Sequence, residues 1–389
     1  MDRRDFLRIS CATGLCSAIP RVAFARAATE NRLVFLILRG GLDGLHALAP
    51  YADPAYRRFR PKLALERTGA DDSVVDLDGY FGLHPSLAPL HKLYERGEML
   101  LIPAATTRYR DRSHFDGQNL LENGSGIPYG ARDGWLNRAI SKLGNSDQRL
   151  GLSFGPTLPL LMQGEAKIAT WSESPLPKPD EDFLTRLAFM YEDDPDFART
   201  LEEARGSFSA SMVEMGGRAR RGEEFQRAAK AASQILSRED GPRIAVMESQ
   251  GWDTHFGQNW RLAALLDELA AGLMALTNGL DEIWAQTTIV VVSEFGRTAA
   301  ENGSQGTDHG VGGLAMLLGG KVNGGRIGGN WPGLTGAALY EGRDVLPTTD
   351  YESLFKAVLI ERLGLSQAVV EDRVFPSSRM IRPSEGLFK

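Results

Sequence analysis

The chain has 389 residues, 42% of them hydrophobic, and a formal charge of −6. That is enough apolar material for a large core, in one big domain or two ordinary ones, and it excludes a disordered chain. No long basic run appears, which argues against nucleic acid as a partner.

The N-terminus opens with a charged start that holds the pair Arg3-Arg4, followed by Phe6 and Leu7. A weakly apolar stretch runs from Ile9 to Ile19, and small residues at cleavage spacing follow at Ala23-Phe24-Ala25 and Ala25-Arg26-Ala27. The apolar run is too short and too polar to span a bilayer stably. In this order the features resemble a twin-arginine export signal, which hands a folded protein to the twin-arginine translocation machinery. The plainer alternative is an N-terminal tail. Removal of residues 1–27 would take away both cysteines, Cys11 and Cys16, and leave 39 basic against 48 acidic side chains, a formal charge of −9. No disulfide, thiol nucleophile or thiolate metal site would remain. No other segment reads as apolar enough to cross a membrane. The expectation is a periplasmic or secreted protein, not an integral membrane protein, with residues 28–389 forming a single domain.

Beyond that segment, R-L-V-F-L-I-L (Arg32 to Leu38) is a continuous apolar run without alternation, the mark of a strand buried on both faces. Leu87 to Arg96 is helix-like, and Met99 to Ala105 is a second strand. Ser113 sits where a helix cap belongs, before a helix from about His114 to Leu121, and another helix follows from about Gly134 to Lys142. Between about Asp180 and Glu239 charge and alanine rise and strand-like runs vanish, so a helical insertion is expected at about 180–240. Arg243 to Glu248 returns to the strand pattern, followed by a long helix from about Phe256 to Trp284. Thr287 to Val292 and Gly313 to Leu318 are further strands, and Tyr351 to Leu363 is a late helix. Strands alternating with helices predict an α/β fold: a mostly parallel central sheet with helices on both faces.

Polar, glycine-rich residues follow four of these strands. They are Asp43 after the first, Ser113 and His114 after the second, Asp253 and His255 after the third, and Glu294, Arg297, Asp308 and His309 after the fourth. Ligands of open parallel sheets bind beyond the carboxyl ends of the strands, so these groups can converge. Each has a plainer role as well. Asp43 before glycine suits a turn, Ser113 suits a cap, and Asp253 with His255 suits a hydrogen-bonded pair. Imidazole with carboxylate oxygen also fits zinc, manganese or iron. Arg297 is either an ion-pair partner of Glu294 or a binder of an anionic small molecule or polymer. A nucleotide-dependent dehydrogenase is excluded, because G-G-L-D-G after the first strand lacks the spaced glycines.

The segments R-G-G-L-D-G, F-G-L-H-P-S-L-A-P-L, R-S-H-F-D-G-Q, D-G-W-L-N-R, G-W-D-T-H, S-E-F-G-R-T, N-G-S-Q-G-T-D-H-G and G-G-N-W-P-G-L occur in order over nearly the whole chain. Together they resemble the exported bacterial family called domain of unknown function 1501. That family is similar to the alkaline phosphatase and sulfatase superfamily. The resemblance implies an alkaline phosphatase-like fold and a divalent metal ion (zinc, manganese, calcium or magnesium). It implies metal contacts from Asp43, Asp253, His255, Glu294, Asp308 and His309, a serine nucleophile at Ser113 with His114 as its base, and Arg297 on the developing charge. The activity implied is hydrolysis of phosphate or sulfate esters; the alternative is a binding or assembly protein that retains the fold. Two departures stand out. Phe295 follows Glu294 where the superfamily has a histidine, and His255 lies nearer Asp253 than usual. A single metal held by Asp253, His255 and His309 is therefore expected.

Overall fold

The computed structural model describes residues 29–66, 73–144, 150–173, 181–199, 201–202 and 223–389. The segment expected to be an export signal, with both cysteines, lies outside these residues. The main sheet contains β1 (Arg32–Arg39), β2 (Met99–Thr106), β3 (Gly151–Phe154), β4 (Ile168–Trp171), β5 (Ile244–Gln250), β6 (Thr287–Val292), β7 (Gly313–Leu318) and β8 (Arg326–Ile327). Their order is β8-β2-β7-β6-β1-β5-β3-β4, with β9 (Thr349–Asp350) also pairing with β2. β7 runs antiparallel to both β2 and β6, and the other pairings in this sheet are parallel. Hence β1, β2, β5 and β6 all end at one edge, and β7 begins there.

The unbroken apolar run of β1 is explained by its two neighbours in space. Leu33, Phe35 and Ile37 join the core on one face, with Trp135 of α2 (Trp135–Leu143) and Phe355 of α6 (Tyr351–Ala357). Phe35 meets both rings edge-on, at 5.4 and 5.2 Å. Val34, Leu36 and Leu38 join the other core, with α4 (Glu224–Leu236) and α5 (Gln258–Gly279). Alternate residues of a strand face opposite sides, so a strand between two helical layers must be apolar throughout. The short helix Gly44–Ala47 and the longer α1 (His114–Asn123) then start from the site edge, after β1 and β2.

α5 is, by length and composition, the one described helix apolar enough to cross a membrane, where the sequence led to the expectation of no such segment. In this fold Leu262, Leu266, Leu269, Leu273 and Leu276 of α5 are buried in the core it shares with α4. The segment expected as a helical insertion has two characters. α4 belongs to the main unit and buries Phe225, Ala229, Ala232 and Ile235 there. The described residues 181–199 and 201–202 belong to a separate unit and include the helix α3 (Glu181–Met190), with Phe189 and Met190 exposed.

Candidate metal centre

Four donor atoms meet over the shared edge: Nε2 of His114, His255 and His309, and Oδ1 of Asp253. His309 Nε2 lies 2.9 Å from His114 Nε2, 3.0 Å from His255 Nε2 and 3.2 Å from Asp253 Oδ1. Asp253 Oδ1 is 3.0 Å from His255 Nε2 and 3.5 Å from His114 Nε2. Donors at zinc distances from a central ion, in a tetrahedron, are separated by about 3.3 Å. The spacings are of that size, and the donor atoms of His114, Asp253 and His309 all lie within 4.8 Å of one another; His255 joins this group through His309 and Asp253.

The opposite ring nitrogens explain why these atoms point at one another. His114 Nδ1 lies 2.7 Å from Glu294 Oε1, and His255 Nδ1 lies 3.0 Å from Asp308 Oδ1. His309 Nδ1 lies 2.9 Å from the carbonyl oxygen of Arg112. Carboxylates and carbonyls only accept, so each Nδ1 must carry the hydrogen. In the neutral rings the three Nε2 lone pairs then converge, beside a carboxylate oxygen. Such an array is repulsive unless a cation sits among them, and a second shell that fixes the tautomer is the usual setting of a metal-bound histidine. The residues therefore fit a divalent metal of the zinc type held by His114, Asp253 and His309, with His255 Nε2 beside the last two.

Local sequence builds this convergence. Gly40 takes a left-handed φ of +122°, and a Cβ there would lie 2.6 Å from the Asp253 backbone nitrogen. Only glycine lets the ends of β1 and β5 approach so closely. A Cβ on Gly306 would lie 2.2 Å from the His255 carbonyl carbon, so the 302–306 loop also needs glycine to close on that ligand. Asn302 in the same loop donates to the His255 carbonyl and to Asp308 Oδ1, at 2.9 and 3.1 Å. Arg112 has a φ of +63°, which aims its carbonyl at His309. Its side chain is pinned by Asp344 at 2.8 Å and by Glu341.

The electrostatics agree with the ligand roles. Burial alone would push the carboxyls of Asp253, Glu294 and Asp308 upward. Arg297 and His255 beside Asp253, His114 and Gln118 beside Glu294, and Asn302 and His255 beside Asp308 hold all three below the usual carboxylate range. His309 is lowered by burial and by its neighbour His114. His114 is raised, because its bond to Glu294 outweighs the burial that pulls it down.

Of the residues the sequence singled out, Asp253, His255 and His309 come together as donors. His114, expected as a base, stands with them as a fourth donor, its Nδ1 committed to Glu294. Glu294 and Asp308, expected as direct ligands, instead orient His114 and His255 from behind. Glu294 also accepts from Gly40 N at 2.9 Å and Gln118 Nε2 at 2.9 Å, so it is engaged by groups away from the centre. Asp43, also expected as a ligand, is fully buried in a two-oxygen contact with Arg60 at 2.8 and 3.0 Å. Gln258, Thr307 and the His46 amide complete its hydrogen bonds, so a guanidinium already supplies its counter-charge. Arg297, expected to face substrate charge, is itself buried. It donates to the carbonyls of Gly40, Gly41, Trp252 and Thr307 and to Asp253 Oδ1, and so braces three loops and one ligand. Ser113 occupies the N-cap position of α1 without a side-chain capping bond, directly before His114, and its backbone nitrogen donates to Tyr109 Oη at 3.1 Å. Phe295 is a wall of the centre. Its ring packs 4.8 Å from His114 and 5.3 Å from His309, against Gly41 and Gly117.

Sequence reading missed Gln118, Asn302 and the Arg112 carbonyl. The first two are polar residues in motifs already singled out, R-S-H-F-D-G-Q and N-G-S-Q-G-T-D-H-G; the third depends on a backbone angle that no residue type at that position announces.

The fold and the site define an α/β protein with a mostly parallel sheet and a single cluster of metal-binding geometry among the described residues. The chain belongs to the DUF1501 family, described as proteins of unknown function, which matches residues 110–374. A search of curated proteins finds no match. Solved structures similar to it include Ps i-CgsB, at 11% identity and a TM-score of 0.43, over 90% of this chain and 77% of that one. The phosphonate monoester hydrolase of Agrobacterium radiobacter is 12% identical with a TM-score of 0.37, over 86% and 74%. A protein in the alkaline phosphatase superfamily from Vibrio parahaemolyticus is 12% identical with a TM-score of 0.36, over 82% and 69%. The chain spans 65% of the Ps i-CgsB structure solved with k-i-k-neocarrahexaose.

Proposed function

We propose that this is an exported, single-metal hydrolase of phosphate or sulfate esters, carried to the periplasm or beyond by the twin-arginine machinery. The observation that carries the metal assignment is the meeting of three Nε2 atoms and Asp253 Oδ1, each imidazole held from behind. When bound, the metal supplies Lewis acidity to an ester oxygen and lowers the pKa of a coordinated hydroxyl or water. The chain's part is positional. Glu294, Asp308 and the Arg112 carbonyl keep a hydrogen on each Nδ1. Arg297 fixes Asp253. Phe295 keeps water from one side of the histidines. Ser113 supplies the attacking oxygen: its Oγ–P or Oγ–S bond forms as the bond to the leaving alkoxide breaks, the hydroxyl proton passing to that alkoxide, and water then cleaves the Oγ–P or Oγ–S bond, returning a proton to Oγ and releasing the acid. The protein should carry metal, and aryl phosphate, phosphodiester and sulfate substrates should include at least one that it turns over. Ser113→Ala should stop turnover while metal content stays unchanged. Metal-free protein with no turnover under any added divalent ion would defeat the reading.

One observation favours a second reading, in which the centre binds metal without turnover. Arg297 is consumed by five acceptors, so it is not free to face a developing charge. A metal-loaded protein inert to the whole panel, with a stoichiometric partner recovered from a periplasmic extract, would establish that alternative.

A further inference from the structure

We infer that the ligand of this centre carries one negative charge, not two, and presents a flat apolar group to the rim. This rests on the reading of the site as a metal centre that binds an ester. The first argument is charge. With neutral imidazoles, a divalent ion and Arg297 are matched by the three carboxylates Asp253, Glu294 and Asp308. The loaded centre is then neutral overall. The guanidiniums around it are also engaged. Arg112 bonds Asp344 and Glu341, Arg343 bonds Asp344, and Arg60 is sealed against Asp43. A dianionic monoester would leave water for a site with no matching excess of positive charge, at a cost that grows steeply with charge. A monoanion loses much less.

The second argument is the surface beside the ligands. Phe256 directly follows His255 and is 59% exposed, and Trp260, in the first turn of α5, is 69% exposed. Arg261 lies over the Phe256 ring at 4.5 Å. Phe115 directly follows His114 and is 82% exposed. Phe115 and Phe256 are the immediate chain neighbours of His114 and His255, so large rings left in water beside these donors are contact surfaces for flat apolar groups, and the Arg261–Phe256 stack adds a single cation to that surface. One cation and three exposed rings match a monoanionic diester with an aryl or similarly flat substituent.

The test is equilibrium binding to the zinc-loaded protein near pH 7.5, read by calorimetry and Trp fluorescence, with metal content measured on the same samples. Diphenyl phosphate, dimethyl phosphate and phenyl phosphate are the probes: two monoanions, with and without rings, and a dianion with one ring. Diphenyl phosphate should bind at least tenfold more tightly than either other probe. Trp260→Ala and Phe256→Ala should each weaken it about tenfold, leaving dimethyl phosphate binding and zinc content unchanged. Phenyl phosphate binding as tightly as or more tightly than diphenyl phosphate overturns the inference, and so does failure of all three to bind zinc-loaded protein. Tight diphenyl phosphate binding without turnover of any diester leaves the inference standing and removes the hydrolase assignment.

Discussion

Arg60 and Asp43 form the most deeply buried ion pair among the described residues at the site edge, with side-chain exposures of 0% and 1%. Arg60→Met keeps the stem and removes the charge. Asp43 then loses both of its guanidinium bonds, and the carbonyls of Thr298 and Ala299 lose theirs, at 2.9 and 3.0 Å. Breaking one side of a buried pair costs about 3–5 kcal/mol, because a carboxylate is left in a medium that cannot solvate it. At present Arg60 holds the Asp43 carboxyl below its usual value against the upward push of burial. Without Arg60 the strongest influence opposing that push is gone and the Gln258 and His46 contacts that remain oppose it less, so the Asp43 carboxyl moves upward and the loss shrinks as pH falls. Urea unfolding followed by Trp fluorescence at pH 7 should show the full loss. Adding Asp43→Asn to the same chain should recover most of it, because the amide carries no charge. A single variant within about 1 kcal/mol of the wild type at pH 7 would refute the claim that Arg60 is the counter-charge Asp43 requires.

Three other perturbations follow from the same contacts. Glu294→Gln removes the carboxylate behind His114, and a chelator-competition titration should show metal affinity down ten- to a hundredfold, about the range typical of such outer contacts; unchanged affinity would mean that Glu294 does not orient the ligand. His46 is fully buried, neither ring nitrogen has a hydrogen-bond partner among the described residues, and burial takes its pKa from 6.5 to about 3. Between those values the unfolded chain binds a proton that the folded chain refuses, so this stability is complete above about pH 6.5 and lost as pH falls, by about 2 kcal/mol at pH 5. His46→Leu should unfold with a shallower acid limb than the wild type, and identical limbs would contradict the assignment. Phe295→Ala removes a ring that is 1% exposed, and should destabilise the protein by about 3–5 kcal/mol in urea.

The sheet was legible because strands buried on both faces leave a simple mark: residues 33–38, 289–292 and 314–318 are apolar at every step. The direction of Gly313–Leu318 was not, since an antiparallel strand between two parallel ones carries the same pattern when both faces are covered. The short strands Gly151–Phe154 and Ile168–Trp171 fell below what periodicity can resolve. At the centre, residue type located the charged loops, yet it did not rank inner from outer contacts. Asp253 and Asp308 are the same side chain in similar glycine-rich loops; only the ring geometry of His255, with Asp253 at Nε2 and Asp308 at Nδ1, tells them apart. Asp43 looked available because its partner Arg60 lies seventeen residues on, in a stretch with no motif of its own.

The central claim is one metal ion per chain, bound by three imidazoles and one carboxylate. Elemental analysis of the purified protein, combined with X-ray absorption at the metal edge, measures the count and the ligands together. The expected result is one ion of the zinc type, four N/O neighbours at about 2.0–2.1 Å with imidazole scattering, and loss of the ion in His309→Ala. Two ions per chain, or retention of the ion by His309→Ala, would contradict it.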